Sequence, residues 1–130
     1  MIRSDRRGRR GRGQILALFA LSSTVIILSV SLVIDGGNAL VQRRNSQNTS
    51  DFAALAGARI VATWIDGDVT NGTDANVRAA INATVAANGG TPIAYGAPDG
   101  PTYVNDAGNV VGYVGAGSIP AGARGVTVVS

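Results

Sequence analysis

The chain has 130 residues, a formal net charge of +3, and no Cys, His, Lys or Glu. Disulfides, thiol catalysis and the common zinc sites are therefore excluded, and Asp, Tyr and hydroxyl residues are the only side chains left for acid, base or nucleophilic chemistry. No pair of Asp residues lies in a sequence context that indicates a pocket. The composition predicts a protein that is not an enzyme and that has no cofactor, metal or small-molecule substrate.

Positive charge is concentrated at the amino terminus. Residues 1–34 carry six Arg and one Asp (+5), residues 35–65 carry three Arg and two Asp (+1), and residues 66–130 carry two Arg and five Asp (−3). The Arg- and Gly-rich tail resembles segments that bind nucleic acids, but it lacks aromatic residues for base stacking and adjoins an uncharged run. We therefore predict no nucleic-acid partner and interpret residues 1–13 as a basic cytoplasmic tail.

An uncharged run of 21 residues, 14–34, follows the tail and is rich in Leu, Ile, Val, Ala and Ser. As a helix it would extend roughly 32 Å, about the thickness of the hydrocarbon core of a bilayer. The run predicts one transmembrane helix in the cell membrane, with the amino terminus in the cytoplasm because positive charge is retained there, and residues 35–130 extracytoplasmic. A cleaved signal peptide is the alternative, although the run is long for one and no small-x-small cleavage site follows it.

Residues 35–65 are predicted to continue the helix outside the membrane. Gly36 and Gly37 each cost about 1 kcal/mol in a helix interior, so we expect the helix to bend or loosen there. Residues 42–51 are polar all round and are expected to form a solvated neck. Beyond the neck, five residues recur at helical spacing and predict a face that packs against the rest of the domain: Phe52, Leu55, Ala56, Ile60 and Thr63.

Residues 66–130 are predicted to form a small α+β domain that begins with the turn-like segment DGDVTNGT. Asp66, Asp68 and Asn71 resemble the start of a calcium loop. However, the Gly falls one position late and no Glu occupies the closing position, so a turn is the favoured interpretation.

A second helix is predicted over residues 74–88. Thr73 or Asp74 is expected to cap its amino terminus, and Gly89 and Gly90 are expected to end it. An apolar stripe marks the face that should pack: Val77, Ala80, Ile81, Thr84 and Val85.

Signals typical of β-strands follow residue 91. Residues 102–104 and 110–114 flank the segment NDAGN, the pattern of a hairpin with a Gly-containing loop, and residues 124–130 predict a third strand. The chain either ends on an edge strand or is a fragment of a longer protein. The predicted fold class is α+β: a long amino-terminal transmembrane helix that continues into a small extracytoplasmic domain with a second helix and a short antiparallel sheet.

The segment after the uncharged run reads DGGNALVQRRNSQNTSDFAALAGA. Together with the basic tail and the run before it, this segment resembles the amino-terminal module of the TadE/TadG-like proteins, which assist assembly of tight-adherence (Flp) pili. The resemblance covers about residues 8–62. The positions that carry the family pattern are Asp35, Gly37, Arg43, Arg44, Gln47, Asn48, Asp51, Leu55 and Gly57.

The resemblance implies a pilin-like membrane protein that works with other pilus or secretion-system subunits and is structural rather than catalytic. Prepilin peptidases cut after a Gly that precedes the span, which marks Gly13 and Gln14 as the candidate cleavage pair. The fifth residue after that cut is Leu18, where many substrates carry Glu. The metal-site string of the longer family members, D-x-S-x-S, does not occur here. The alternative hypothesis is an envelope-anchored or secreted binding module unrelated to pili, whose Gly-rich loops contact a ligand.

Overall fold

The computed structural model describes residues 10–91 and 93–128, and these form two helices and three strands. The elements in chain order are α1 (Arg10–Ile65), α2 (Asp74–Ala87), β1 (Thr102–Val104), β2 (Val110–Tyr113) and β3 (Gly125–Thr127). The predicted α+β class is confirmed. The chain divides into two compact units, Met1–Gln42 and Arg43–Ser130. Most of the predicted basic tail, residues 1–9, lies outside the described residues.

In the first unit, α1 is helical throughout its apolar part and remains helical at Gly36 and Gly37. The expectation that the helix loosens at these two glycines was wrong. Each glycine costs about 1 kcal/mol in a helix interior, and this is a small penalty against the cooperative hydrogen bonding of a helix of 56 residues. The predicted neck, residues 42–51, is also helical, and its side chains are almost all exposed.

In the second unit, the last turns of α1 bury a narrow face made of small residues. Ala53 and Val61 are fully buried, and Gly57 lies between them at the same helical phase. The face predicted from the larger residues was partly wrong, because Phe52 and Leu55 are 54% and 61% exposed. The small residues on this face allow α2 and the sheet to approach the helix closely.

Helix α2 follows the predicted pattern closely. Thr73 is the N-cap, and its hydroxyl oxygen accepts a hydrogen bond from the backbone N–H of Asn76 at 3.2 Å. The helix ends at Ala87 with Asn88 as its C-cap, and Gly89 follows with a φ of +67°, the left-handed conformation that favours glycine. The N–H of Gly90 donates to the carbonyl of Val85 at 2.9 Å. The predicted stripe is confirmed at its three fully or almost fully buried residues: Val77, Ile81 and Val85.

The three strands form an antiparallel sheet in the order β2-β1-β3, which confirms the predicted hairpin and the third strand. Asn105 closes the hairpin loop, since its side-chain oxygen accepts from the N–H groups of Ala107 and Asn109 at 3.0 and 2.9 Å. At the centre of the sheet, Tyr103 of β1 is opposite Gly112 of β2 and Val126 of β3. Tyr103 and Val126 point into the core that the sheet shares with α2 and the end of α1.

Candidate membrane anchor and assembly helix

The apolar part of α1 presents large side chains on every side of the helix. Thirteen Ile, Leu, Val and Phe side chains between Ile15 and Ile34 are exposed by 53% to 75%. Burying such a surface in hydrocarbon is favourable at roughly 25 cal/mol per Å² of apolar area. Among the described residues, α1 is the one helix that is long and apolar enough to cross a membrane. The structure therefore agrees with a single membrane-anchoring helix.

Three hydroxyl groups in this apolar part are hydrogen-bonded within the helix. Thr24 donates to the carbonyl of Ala20 at 2.9 Å, and Ser29 donates to the carbonyl of Val25 at 2.8 Å. Ser31 donates in the same way to a carbonyl one turn earlier, at 3.0 Å. A hydroxyl without a partner is costly in an apolar medium, and these bonds remove that cost for each of the three side chains. The segment is therefore compatible with lipid despite its polar residues.

The residues of the family pattern lie along α1, and most of them do not contact the core. Gly57 is buried, and every other pattern residue is exposed: Asp35, Gly37, Arg43, Arg44, Gln47, Asn48, Asp51 and Leu55. Gly13 and Gln14, the candidate cleavage pair, are exposed in the second turn of the same helix. The structure therefore gathers no pattern residues into a pocket, and it leaves their polar groups available to contact other molecules.

Gly57 has a packing role that the sequence pattern alone did not reveal. A Cβ atom added at Gly57 would lie 3.3 Å from side-chain atoms of both Ile81 and Val126. This distance is tighter than ordinary van der Waals contact. Gly57 is therefore the point at which α1 contacts both α2 and β3.

Asp74 is a buried carboxylate that holds three parts of the second unit together. Its Oδ1 accepts hydrogen bonds from the hydroxyl of Tyr103 at 2.7 Å and the N–H of Gly115 at 2.9 Å. Its Oδ2 accepts from the N–H of Gly117 at 3.0 Å. Burial, followed by the hydrogen bond to Asp74, raises the pKa of Tyr103 well above its usual range. Asp74 is also the first residue of α2, where the helix dipole favours negative charge.

Sequence reasoning considered Asp74 only as a possible helix cap. Its partners are 29 to 43 residues further along the chain, so no local spacing could identify them. The carboxylate is buried, and both of its oxygens accept hydrogen bonds from the protein. Asp74 is therefore best understood as a structural residue that fixes β1 and the loop after β2 to the start of α2.

Tyr95 fastens the long loop between α2 and β1 to the outside of α2. Its hydroxyl donates to the side-chain oxygen of Asn82 at 2.7 Å, and the guanidinium of Arg78 lies 4.8 Å from the centre of its ring. Burial raises the pKa of Tyr95, and the positive charge of Arg78 opposes that shift. These side-chain contacts add to the backbone hydrogen bond from the N–H of Gly96 to the carbonyl of Val114, at 2.9 Å, in holding the loop.

Asp68 organises the turn that resembled a calcium loop. Its Oδ1 accepts from the N–H groups of Thr70 and Asn71, each at 3.0 Å, and its Oδ2 accepts from the side-chain amide of Asn71 at 2.7 Å. The Asn71 side chain and then the backbone bonds lower the pKa of Asp68. These bonds are those of an Asx-type turn, which agrees with the interpretation of this segment as a turn.

These features define a class of protein: a small α+β body that carries a long apolar helix suited to a membrane. The model of the Tad family, described as putative Flp pilus-assembly TadE/G-like, matches residues 13–59. Residues 13–59 are therefore similar to a TadE/G-like domain, which confirms the resemblance found in the sequence. The match covers most of α1, including Gly57, but not α2 or the sheet. No curated protein and no solved structure matches the chain.

Proposed function

We propose that the protein is a membrane-anchored, pseudopilin-like structural component of Tad/Flp pilus assembly. The observation that carries this proposal is the coincidence of the TadE/G-like match, residues 13–59, with a helix that has large apolar side chains on all sides over residues 15–34. A family role in pilus assembly requires attachment to the pilus machinery at the membrane. The exposed helix supplies that attachment.

The proposed arrangement has four segments. Residues 1–13 are the cytoplasmic tail, residues 14–34 cross the membrane, residues 35–65 continue as an extracytoplasmic helix, and residues 66–130 complete the extracytoplasmic body. The six Arg residues before the apolar run support this orientation, because positively charged segments are retained on the cytoplasmic side.

The proposed partners are the lipid bilayer and other membrane subunits of the pilus or secretion machinery. The exposed pattern residues outside the apolar run, such as Arg44, Asn48 and Asp51, are the proposed contacts with those subunits. Gly13 and Gln14 are the proposed site of prepilin-type cleavage. No catalytic role is proposed, since the buried Asp74 accepts three hydrogen bonds that hold the body together.

Single-cysteine labelling tests the orientation, because the natural chain contains no Cys. Thr70→Cys lies in an exposed turn of the body, and Ser4→Cys lies in the amino-terminal tail. With a maleimide that does not cross membranes, we expect Thr70→Cys to react in intact cells whose outer envelope has been made permeable, and Ser4→Cys to react only after the inner membrane is broken. The reverse pattern would contradict the proposed orientation.

Pilus formation tests the assembly role. Deletion of the gene should abolish Flp pili on the cell surface, and the full-length chain should restore them. A chain in which Ile26 is replaced by Arg should fail to restore them, whereas the matched Ile26→Leu chain should succeed. Normal piliation without the protein would favour the alternative of a binding module unrelated to pili. Intact-mass analysis of the membrane-bound protein, with and without a prepilin peptidase, tests cleavage after Gly13.

A further inference from the structure

The sequence contains two Asn-Gly pairs, and the structure places them in different settings of the second unit. Asn71 and Gly72 lie in the turn before α2, whereas Asn88 and Gly89 lie at the end of α2. In such a pair the backbone nitrogen of the glycine reaches the asparagine side chain easily, because glycine has no Cβ to hinder the approach. The two pairs have the same local sequence, so any difference in their reactivity comes from the fold.

The reaction open to an Asn-Gly pair is intramolecular deamidation. The backbone nitrogen of the glycine loses its proton to solvent and attacks Cγ of the asparagine, so that a new N–C bond forms. The bond from Cγ to the side-chain nitrogen breaks, and that nitrogen takes up a proton and leaves as ammonia. Water then opens the cyclic imide at either carbonyl and gives aspartate or isoaspartate. The glycine nitrogen must therefore leave its own hydrogen bond before it can react.

Asn71 is held by both its side chain and its backbone. Its side-chain amide donates to Oδ2 of Asp68 at 2.7 Å, and its N–H donates to Oδ1 of the same residue at 3.0 Å. Its carbonyl accepts from the side-chain amide of Asn76 at 2.7 Å. The nitrogen that would attack, that of Gly72, donates to the carbonyl of Asp68 at 2.8 Å, and Gly72 is buried against the backbone of Trp64. Reaction at Asn71 therefore requires the whole turn to open.

Asn88 lies in a more exposed position. It is the C-cap of α2, and Gly89 and Gly90 after it are also exposed. Its side-chain amide donates to the carbonyl of Thr84 at 2.8 Å, and the N–H of Gly89 donates to the carbonyl of Ala86 at 3.2 Å. Both partners belong to the last turn of α2, and the ends of helices fray. A small local opening therefore frees the side chain of Asn88 and the nitrogen of Gly89 together.

We propose that Asn88 is a site of spontaneous deamidation in the folded protein and that the turn before α2 protects Asn71 from the same reaction. A folded chain is modified through transiently opened states, and the free energy of local opening ranges from near zero at fraying ends to the full free energy of unfolding. Opening at Asn88 disturbs one turn at the end of a helix. Opening at Asn71 removes the buried Gly72 from its packing and breaks the hydrogen bonds to Asp68.

Deamidation of Asn88 changes the end of α2 in two ways. The aspartate or isoaspartate product has no side-chain N–H to donate to the carbonyl of Thr84, so that hydrogen bond is lost. The product also carries a negative charge at the carboxyl-terminal end of a helix, where the helix dipole disfavours it. The formal charge of residues 66–130 changes from −3 to −4. We therefore expect the last turn of α2 to loosen after the reaction.

Peptide mapping of the full-length chain, incubated in detergent at mildly alkaline pH, tests the proposal. Trypsin separates the two sites, because cleavage after Arg59, Arg78 and Arg124 gives the peptides 60–78 and 79–124. Mass spectrometry with fragmentation then measures aspartate and isoaspartate at each site over time. We expect conversion of Asn88 to be at least about tenfold faster than conversion of Asn71, which corresponds to about 1.4 kcal/mol between their opening free energies. Equal rates, faster conversion of Asn71, or no conversion of Asn88 would overturn the proposal.

Three controls separate the effect of the fold from that of the sequence. In concentrated denaturant the two sites should be converted at similar rates, because both are Asn-Gly pairs. Asp68→Ala removes the acceptor of the Asn71 side chain and should raise conversion of Asn71 several-fold while leaving Asn88 unchanged. Asn88→Gln keeps an amide donor but must close a larger ring, so conversion at that position should fall to background. An unchanged rate at Asn71 in Asp68→Ala, or a large difference between the sites in denaturant, would refute protection by the turn.

Discussion

Two regions of α1 are both helical, but they differ in the size and exposure of their side chains. Between residues 15 and 34, thirteen large apolar side chains surround the helix and are all at least 53% exposed. Between residues 53 and 61, the fully buried side chains are Ala53 and Val61, and Gly57 between them has no side chain at all. The first region is hydrophobic on every side, whereas the second is small on one side.

This difference shows what determines whether a helix is suited to lipid or to packing against protein. The size of its apolar residues and their distribution around the helix matter more than their number. In lipid, apolar surface needs no protein partner, so large side chains on all sides are favourable. Against another protein element, large side chains hold the backbones apart and small ones allow close packing. The change from large to small side chains along α1 therefore marks the change from membrane to protein surroundings.

The largest effect is expected on membrane insertion when an Arg is placed in the apolar run. An Arg at an equally exposed position of the second region should not affect insertion. Ile26→Arg puts a guanidinium near the middle of the apolar run, where insertion becomes less favourable by about 2.5–3.5 kcal/mol. Ile26 is 62% exposed, and Leu55 is 61% exposed in the second region. We expect Ile26→Arg to reduce the carbonate-resistant fraction strongly and Leu55→Arg to leave it unchanged. Equal effects would contradict the assignment of these regions to different surroundings.

Removal of the buried charge should destabilise the body by about 3 kcal/mol. Asp74→Asn replaces one acceptor oxygen by an N–H₂ group, so at least one of the three donors around it loses its acceptor, and hydrogen bonds to charged groups contribute about 1.5–3 kcal/mol. Chemical unfolding of the full chain in detergent, followed by the fluorescence of Trp64, measures the change. An unaltered midpoint would show that the network around Asp74 is not formed.

A side chain on Gly57 should cost about 2 kcal/mol, whereas the same change at Gly37 should not destabilise the protein. Gly57→Leu overpacks a contact in which even a Cβ would be 3.3 Å from Ile81 and Val126, and overpacking typically costs about 1–3 kcal/mol. At Gly37 an added Cβ would meet no atom within 4 Å apart from the adjacent residues and the nearby backbone of its own helix, so Gly37→Leu gains helix propensity instead. Thermal unfolding in detergent, monitored by near-UV circular dichroism, compares the two. Similar melting temperatures would contradict the packing at Gly57.

Local patterns in the sequence were sufficient for the element types. The helix over the apolar run, the end of α2 before Gly89 and Gly90 and the NDAGN hairpin are each determined by interactions within a few residues, and each was predicted. The cap of α2 was predicted as Thr73 or Asp74, and it is Thr73. The prediction of which face of α1 packs was partly wrong, because this packing depends on distant residues. Large residues were assumed to be buried, but the partners of this face are far along the chain and require small residues at Ala53 and Gly57.

The buried network was not predictable from spacing. Asp74 accepts hydrogen bonds from Tyr103, Gly115 and Gly117, which the fold brings to it from two distant segments, β1 and the loop after β2. A carboxylate at the start of a helix is common as a cap, so nothing in its neighbourhood distinguished it.

Alkaline pH should destabilise the second unit through Tyr103. Its pKa is raised in the folded state, so the unfolded chain ionises first, near the ordinary tyrosine value of about 10. Stability is therefore fully present below about pH 10 and falls above it by up to about 1.4 kcal/mol per pH unit. Tyr95, whose pKa is also raised, adds to the fall in the same direction. Between pH 9 and pH 11, the urea concentration at the midpoint of unfolding should fall less steeply in Tyr103→Phe than in the natural chain. An identical fall in both would contradict the burial of the Tyr103 hydroxyl.

The smallest change in the free energy of unfolding is expected for Asp106, an aspartate that is exposed whereas Asp74 is buried. Asp106 is 86% exposed, and its Oδ2 lies 3.8 Å from the Nε of Arg124, a geometry in which an ion pair contributes at most a few tenths of a kcal/mol because water and salt screen it. Asp106→Asn should therefore change the free energy of unfolding by less than about 0.5 kcal/mol. The substitution makes the same chemical change as Asp74→Asn, so the two unfolding curves compare a solvated carboxylate with a buried one. If Asp106→Asn were as destabilising as Asp74→Asn, the loss of charge itself, rather than the loss of buried hydrogen bonds, would control the stability of the body.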